Sequence, residues 1–367
     1  MKVQRVRLPE TDRFSWLVLD DEYVPIQPIF SYLSFLYDLD RSPNTIRACA
    51  HHLKLFWEFL HDERLQWTEV DVAHLAAFII WLRQQEPAVL SIAPQPAHRT
   101  NATIDQMLTS VHGFYDYHMR LKTVPELPLY QFLLLPHRRY KPFLSGIAKA
   151  KPIRTRIVSI KREEHRPKTL TCEQVQQLLA ACTHTRDRFL LALMYETGMR
   201  IGQCLGLRHS DLSVEDGEIQ IVPRDDNANG ARTKKREAYT IPGPFHLMQL
   251  YTDYLIEDLN ALEVDALPDY VFVNLWEGEI GRPMTYDGVM SLCHRLSRKT
   301  GIQFTPHMLR HTRATIWIRD DKLPLPTVSR LLGHASIQTT NDTYLQLTPQ
   351  DLKRALTARK EGDEDER

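Results

Sequence analysis

Cysteine is scarce in this chain of 367 residues: Cys49, Cys172, Cys182, Cys204 and Cys293 are odd in number, scattered and never spaced C-x-x-C. That spacing argues against a disulfide framework and a thiolate zinc site, and leaves all five as small core residues. No uninterrupted apolar run approaches the roughly 20 residues that span a bilayer. The opening MKVQRVRLPETDRF also lacks the continuous apolar core of a secretory leader, so the expectation is a cytoplasmic protein with no membrane partner. Neither a Walker-type glycine loop nor a cluster of acidic metal ligands is present, and no cofactor is expected. Excess charge is missing too. With 46 basic and 46 acidic residues the formal net charge is zero, which by itself argues against a polyanionic partner.

Distribution reverses that impression. Between Arg138 and Lys168 stand Arg138, Arg139, Lys141, Lys149, Lys151, Arg154, Arg156, Lys161, Arg162, Arg166 and Lys168, against only Glu163 and Glu164. The balancing acids collect elsewhere, as in the tail EGDEDER. Such a run is ordinarily a solvated linker. Placed between two domains it is also the strap of a protein that encircles a duplex, because each neutralised phosphate releases counterions.

The length exceeds one ordinary core of 100 to 200 residues and predicts two domains. After a polar N-terminal extension, residues 1–27, a helical domain is expected over 28–140. Ser42-Pro43 reads as an N-cap with proline at N1, and Ile46, Ala50, Leu53, Trp57 and Leu60 then fall on one helix face. VDVAHLAAFIIWLRQ and ATIDQMLTSVHGFYDYHM predict two more helices, the latter with Ile104, Leu108, Val111 and Tyr115 inward. Aromatics in this region read as core rather than as a platform for stacking bases. A basic linker over 141–167 leads to a second domain, 168–350, and then to a C-terminal segment and acidic tail, 351–367. The second domain opens on a capping box at Thr171 to Gln174. The helix RDRFLLALMYET is stopped by Gly198. GEIQIVP and EAYTIP predict a β-hairpin with a long polar tip, YVFV a short apolar strand, and 306–360 further helix. The fold class is therefore mainly α with a small antiparallel sheet.

The chemistry concentrates in PHMLRHTRATIWIRDDKLPLPTVSRLLGHASIQTTNDTYLQLTP, residues 306 to 349. His307 and His311 have the i, i+4 spacing of a zincin, but Met308 stands where that motif needs its glutamate, and no third ligand is evident. As a phosphate site the segment makes better sense. His307 and Arg310, three apart, share a helix face, and a guanidinium fork suits two non-bridging oxygens. An isolated H-x-x-R is weak, since helix histidines bonded to backbone are common. The company raises it: Arg200 just after the helix-ending glycine, where a strained turn would expose it; Gly333 before His334, where a phosphate could approach closely; and Tyr344 in the polar stretch TTND-T-Y, outside any core stripe.

TGMRIGQCLGL, HMLRHT, LLGHAS and TTNDTY, in that order, together with SPNTIRACAHHLKLFWEFL, resemble the tyrosine recombinases or phage-type integrases over both domains. The resemblance implies a helical core-binding domain followed by an α+β catalytic domain. It implies site-specific cutting and rejoining of double-stranded DNA through a covalent 3′-phosphotyrosine. Position by position it implies Arg200 and Arg310 as the arginine pair, His307 and His334 as the histidines, and Tyr344 as nucleophile. It also implies a hairpin lysine, for which Lys234, eight residues before Pro242, is the better candidate, with Lys235 beside it. Gln203 stands where the family often has glutamate, a residue expected to orient Arg200. RDDNANGARTKK is similar to the hairpin of recombinase-type transposases. The family works as a homo-tetramer on paired sites, in some cases with partner recombinases. Residues 347–360 would dock on a neighbouring subunit or pack on their own domain. A relaxing topoisomerase of the tyrosine type and a decayed DNA-binding accessory protein are the alternatives.

Overall fold

The computed structural model describes residues 1–7, 14–83, 99–133, 153–160, 167–233, 237–262, 268–276, 278–333, 336–338 and 340. The chain forms two compact units, Met1–Glu164 and His165–Arg367.

The first unit opens with a β-hairpin where the sequence suggested only a polar extension. β1 (Lys2–Arg7) pairs antiparallel with β2 (Phe14–Leu19) in the register Lys2↔Leu19 to Arg7↔Phe14. β2 packs on α1 (Gln27–Asp38) and α2 (Pro43–Asp62), burying Val18 and Leu19. Mixed charged and apolar residues hide this ribbon in the sequence, because a strand pair covering a helix edge needs only a few buried positions. α2 begins as expected: the Ser42 side chain accepts from the Thr45 N–H, and Pro43 occupies N1. Its stripe Ile46, Ala50, Leu53 and Leu60 is buried, and Trp57 is half-buried against the same core. α3 (Val72–Arg83) and α4 (Asn101–Arg120) complete the bundle, with Ile104, Leu108, Val111 and Tyr115 inward. Aromatic rings fill the centre, Phe56 edge-on to Phe78 at 5.0 Å and Trp57 to Phe114 at 5.5 Å.

β3 (Tyr130–Leu133) pairs antiparallel with β4 (Ile153–Arg156), so part of the stretch expected as linker is a strand of the first unit. Arg156 reaches buried Asp105 at 3.4 Å, giving one base of the run a folding role. Of the eleven bases in that run, only Arg154, Arg156 and Lys168 lie within the described residues.

In the second unit α5 (Cys172–Ala181) carries the expected capping box: Thr171 accepts from the Gln174 N–H and Gln174 accepts from the Thr171 N–H. α6 (Thr185–Thr197) is the central helix, packing on α8 (Phe245–Tyr254) and α10 (Pro306–Arg319). Short α7 (Ile201–Leu205) follows α6 in the chain and precedes the sheet. That sheet is antiparallel in the order β5 (Leu212–Ser213), β6 (Glu218–Ile221), β7 (Tyr239–Pro242), with Ile219 opposite Ile241. The sequence reading missed β5. α8 continues as a π-turn, Leu255–Leu259; α9 (Tyr286–Thr300) and α11 (Leu325–Leu331) complete the described helices.

YVFV is not a strand. Val271, Phe272 and Val273 are fully buried, but their backbone bonds to loops on both sides, Val271 N–H to the Leu207 carbonyl at 3.0 Å and Met284 N–H to the Phe272 carbonyl at 2.9 Å. Isolated bridges take the place of a ladder. An apolar run reports burial, not pairing. Cys49, Cys182, Cys204 and Cys293 are buried as expected, whereas Cys172, in the first turn of α5, is exposed. No helix among the described residues is long and apolar enough to cross a membrane.

Candidate active site

The site is built around the end of α6. Gly198 adopts φ +63°, the left-handed conformation that stops the helix, and a β-carbon there would lie 2.9 Å from the Leu332 side chain and 3.3 Å from Trp317. With no side chain in the way, its carbonyl meets α10. Arg310, 2 % exposed on α10, donates through Nη1 to the Gly198 carbonyl at 2.5 Å and through Nη2 to the Leu332 carbonyl at 2.8 Å. Arg200, two residues past Gly198, places its Nη1 3.4 Å from the same Leu332 oxygen. Two guanidiniums 110 positions apart in the chain thus converge on one carbonyl, at the C-cap of α11. Neither cation can lose its proton, and a helix C-terminus is the end that favours positive charge.

The turn before Arg200 is made by Gly198, and a glycine takes up φ +63° without strain. Arg200 has ordinary extended backbone angles, φ −76° and ψ 146°, caps α7 and is half-buried. Gln203, 3 % exposed, holds it: its Oε1 accepts from the Arg200 N–H at 2.8 Å. The amide nitrogen of Gln203 donates to the Tyr239 hydroxyl, also at 2.8 Å.

His307 lies exposed in the first turn of α10, one turn before Arg310. Its ring meets the half-buried His311 ring at 4.8 Å, nearly edge to face. Burial first, then the neighbouring His307 and Arg310, push the His311 pKa down to about 4, so His311 stays neutral at physiological pH. Groups of three or more His, Cys, Asp or Glu able to hold a metal do not occur among the described residues.

The approach to the hairpin lysine is folded onto α7. Arg224 makes two 2.7 Å bonds to the Asp211 carboxylate. Asn229 Nδ2 donates to the carbonyls of Leu205 and Met284 at 2.9 Å each, and Ala228 N–H to the Tyr270 hydroxyl at 2.8 Å. The Arg232 carbonyl sits so near Gly202 that a β-carbon there would be 2.6 Å away. Lys234 and Lys235 follow just outside the described residues, as do His334 and Tyr344.

Of the six expected residues the structure thus brings Arg200 and Arg310 onto one carbonyl, with His307 one turn away on the helix of Arg310. Two participants escaped the sequence reading. Tyr239 looked like an ordinary strand residue, and the Leu332 carbonyl is main chain, for which no side-chain pattern exists.

Residues 168–351 match the phage integrase family, and residues 29–122 its N-terminal SAM-like domain. The chain belongs to the phage integrase family of tyrosine recombinases. This tyrosine recombinase is 37 % identical over 354 residues to Transposase A from transposon Tn554 of Staphylococcus aureus, 96 % of each chain being covered. It is 26 % identical over 342 residues to the tyrosine recombinase XerC of Lacticaseibacillus casei, covering 89 % of this chain and 96 % of that one. Its fold is shared with the Tn1549 transposon integrase in complex with a circular intermediate DNA, at a TM-score of 0.62 and 15 % identity, over 90 % and 99 % of the two chains. Its enzymatic class is site-specific recombinase.

Proposed function

We propose that this recombinase moves the transposon that encodes it, cutting and rejoining double-stranded DNA at four sites brought together in a tetramer, in the cytoplasm. The observation that carries the reading is the pair Arg200 and Arg310 meeting at one oxygen beside the turn leading to His334. Likeness to a transposase over 96 % of the chain favours strand exchange over simple relaxation of supercoils.

In this reading the Tyr344 phenol, ordinarily of pKa near 10, attacks the scissile phosphorus and loses its proton as the new P–O bond forms. His307 is the general base. Negative charge gathers on the non-bridging oxygens, where the Arg200 and Arg310 guanidiniums meet it and His334 adds a hydrogen bond. The P–O5′ bond breaks, and Lys234 protonates the leaving oxygen. The product is a 3′-phosphotyrosine. Its bond energy is retained, so a 5′-hydroxyl from the partner duplex can reverse the chemistry without nucleotide or metal. Gln203, in place of an acidic residue, holds the Arg200 backbone through its amide oxygen.

A nicked suicide duplex tests the proposal. Tyr344→Phe should bind that duplex with unchanged affinity and yield no covalent adduct on a denaturing gel, while the unaltered protein forms adduct equally well in chelator. Adduct formation by Tyr344→Phe would refute the assignment.

A further inference from the structure

Tyr239, the first residue of β7, has no part in the reaction as written, yet it touches both sides of the arginine pair. On one side its hydroxyl accepts from Gln203 Nε2 at 2.8 Å, and the oxygen of the same amide accepts from the Arg200 N–H at 2.8 Å. A backbone N–H can only donate, which fixes the amide's orientation: oxygen toward Arg200, nitrogen toward the phenol. On the other side lies Gly333, at φ +59°. A β-carbon there would collide with the Tyr239 hydroxyl and stand 2.7 Å from the ring carbon that bears it. Gly333 directly follows Leu332, whose carbonyl receives both guanidiniums. The contacts therefore close a loop: Arg200 main chain, Gln203, Tyr239, Gly333, the Leu332 carbonyl, and back to the Arg200 side chain.

Such a loop matters because an unrestrained arginine side chain must lose much rotamer freedom before it can serve as a fixed phosphate ligand. A phenol has only two side-chain torsions, and this one is held on a strand, Tyr239 lying opposite Ile221 of β6. It is a stiff spacer between the turn that carries Arg200 and the turn that leads into His334. With glutamine at position 203 the amide serves both neighbours, its oxygen accepting from the Arg200 N–H and its nitrogen donating to the phenol oxygen.

We propose that Tyr239 is a positioning residue for Arg200, a strand-anchored strut acting through Gln203 and set against Gly333. The proposal rests on Arg200 being a ligand of the scissile phosphate. Its test uses the full-length protein and two suicide duplexes, one with the natural phosphodiester and one with a methylphosphonate at the scissile position. The methyl group removes the negative charge that an arginine neutralises. On the natural duplex Tyr239→Phe, which keeps the ring and loses the hydroxyl, should slow adduct formation about three- to tenfold, the worth of one net hydrogen bond. That deficit should shrink on the methylphosphonate, as the larger deficit of Arg200→Ala does, and it should vanish in a Gln203→Ala background, because both changes break the same chain. Equal slowing on the two duplexes, or effects of Tyr239→Phe and Gln203→Ala that multiply, would overturn the strut and leave Tyr239 as packing only. If Arg200→Ala shows no dependence on the duplex, the assignment of Arg200 falls and takes the strut with it. If Arg200→Ala shows the dependence and Tyr239→Phe does not, the strut alone falls. Circular dichroism melting of each variant, expected within a few degrees of the parent, separates these results from simple unfolding.

Discussion

Arg310 is a charge taken almost wholly out of water, and two carbonyl oxygens, those of Gly198 and Leu332, help to compensate the loss of hydration. It joins the end of α6 to the end of α11. Arg310→Ala should lower adduct formation about 100- to 1,000-fold, by comparison with the loss of one oxyanion donor, and should also lower the melting temperature. Arg310→Lys should fail too, since a compact ammonium cannot span both carbonyls. A lysine variant with parental cleavage rates would contradict the bidentate role. His311 sets a different expectation. Its folded pKa, about 4, lies below the ordinary 6.5, so the unfolded chain binds more protons in that interval. Its contribution is complete above pH 6.5 and is lost as pH falls toward 4. Urea unfolding at pH 7 and pH 5 should show the parent losing stability on acidification and His311→Gln losing less. An unchanged difference would place the acid sensitivity elsewhere.

At the scale of elements, the junction between α6 and α7 decides the site. Gly198 combines a positive φ with a β-carbon position that Leu332 and Trp317 already fill. Gly198→Ala should therefore cost about 1 to 2 kcal/mol from the backbone conformation alone, and more from the clash. Because the displaced carbonyl is the one Arg310 uses, cleavage should fall further than stability does, a split that melting curves and adduct yields together would reveal. The β6–β7 connection makes a similar case. Its polar tip NANGAR reads in sequence as a long solvated loop, yet Asn229 ties it to the carbonyls of Leu205 and Met284. Asn side chains that mimic backbone donors leave no periodic trace, which is why the fold-back was illegible. By contrast, the caps at Ser42 and Thr171 and the stripe Ile46, Ala50, Leu53 could be read directly, because capping and helical periodicity involve neighbours within one or two turns.

At the scale of the whole molecule, each unit has its own large hydrophobic core among the described residues, one around Phe56 and Phe114 and one around Phe189 and Phe272, with a smaller cluster at Ala314, Trp317, Val328 and Leu332 in the second, so each is a candidate for independent folding. Met1–Glu164 and His165–Arg367 expressed separately should each unfold cooperatively; a molten first fragment would show that its core needs the second. The balanced net charge conceals the basic run from Arg138 to Lys168, so DNA affinity should respond steeply to salt. If about six phosphates are neutralised, affinity falls about 10³-fold between roughly 50 and 200 mM salt. A flat response in fluorescence anisotropy would argue against that run as a phosphate strap.

The sequence by itself determined the local order of this protein: where helices start and stop, which faces they bury, and which residue types of a phosphoryl-transfer site are present in which order. Those properties depend on neighbours a few positions apart. Tertiary structure alone decided that Arg200 and Arg310 share the Leu332 carbonyl, that Tyr239 reaches Arg200 through Gln203, and that the apolar YVFV is buried without becoming a strand. Each of these depends on groups scores of residues apart, or on main-chain atoms that every residue carries alike, so no spacing within the chain encodes them visibly.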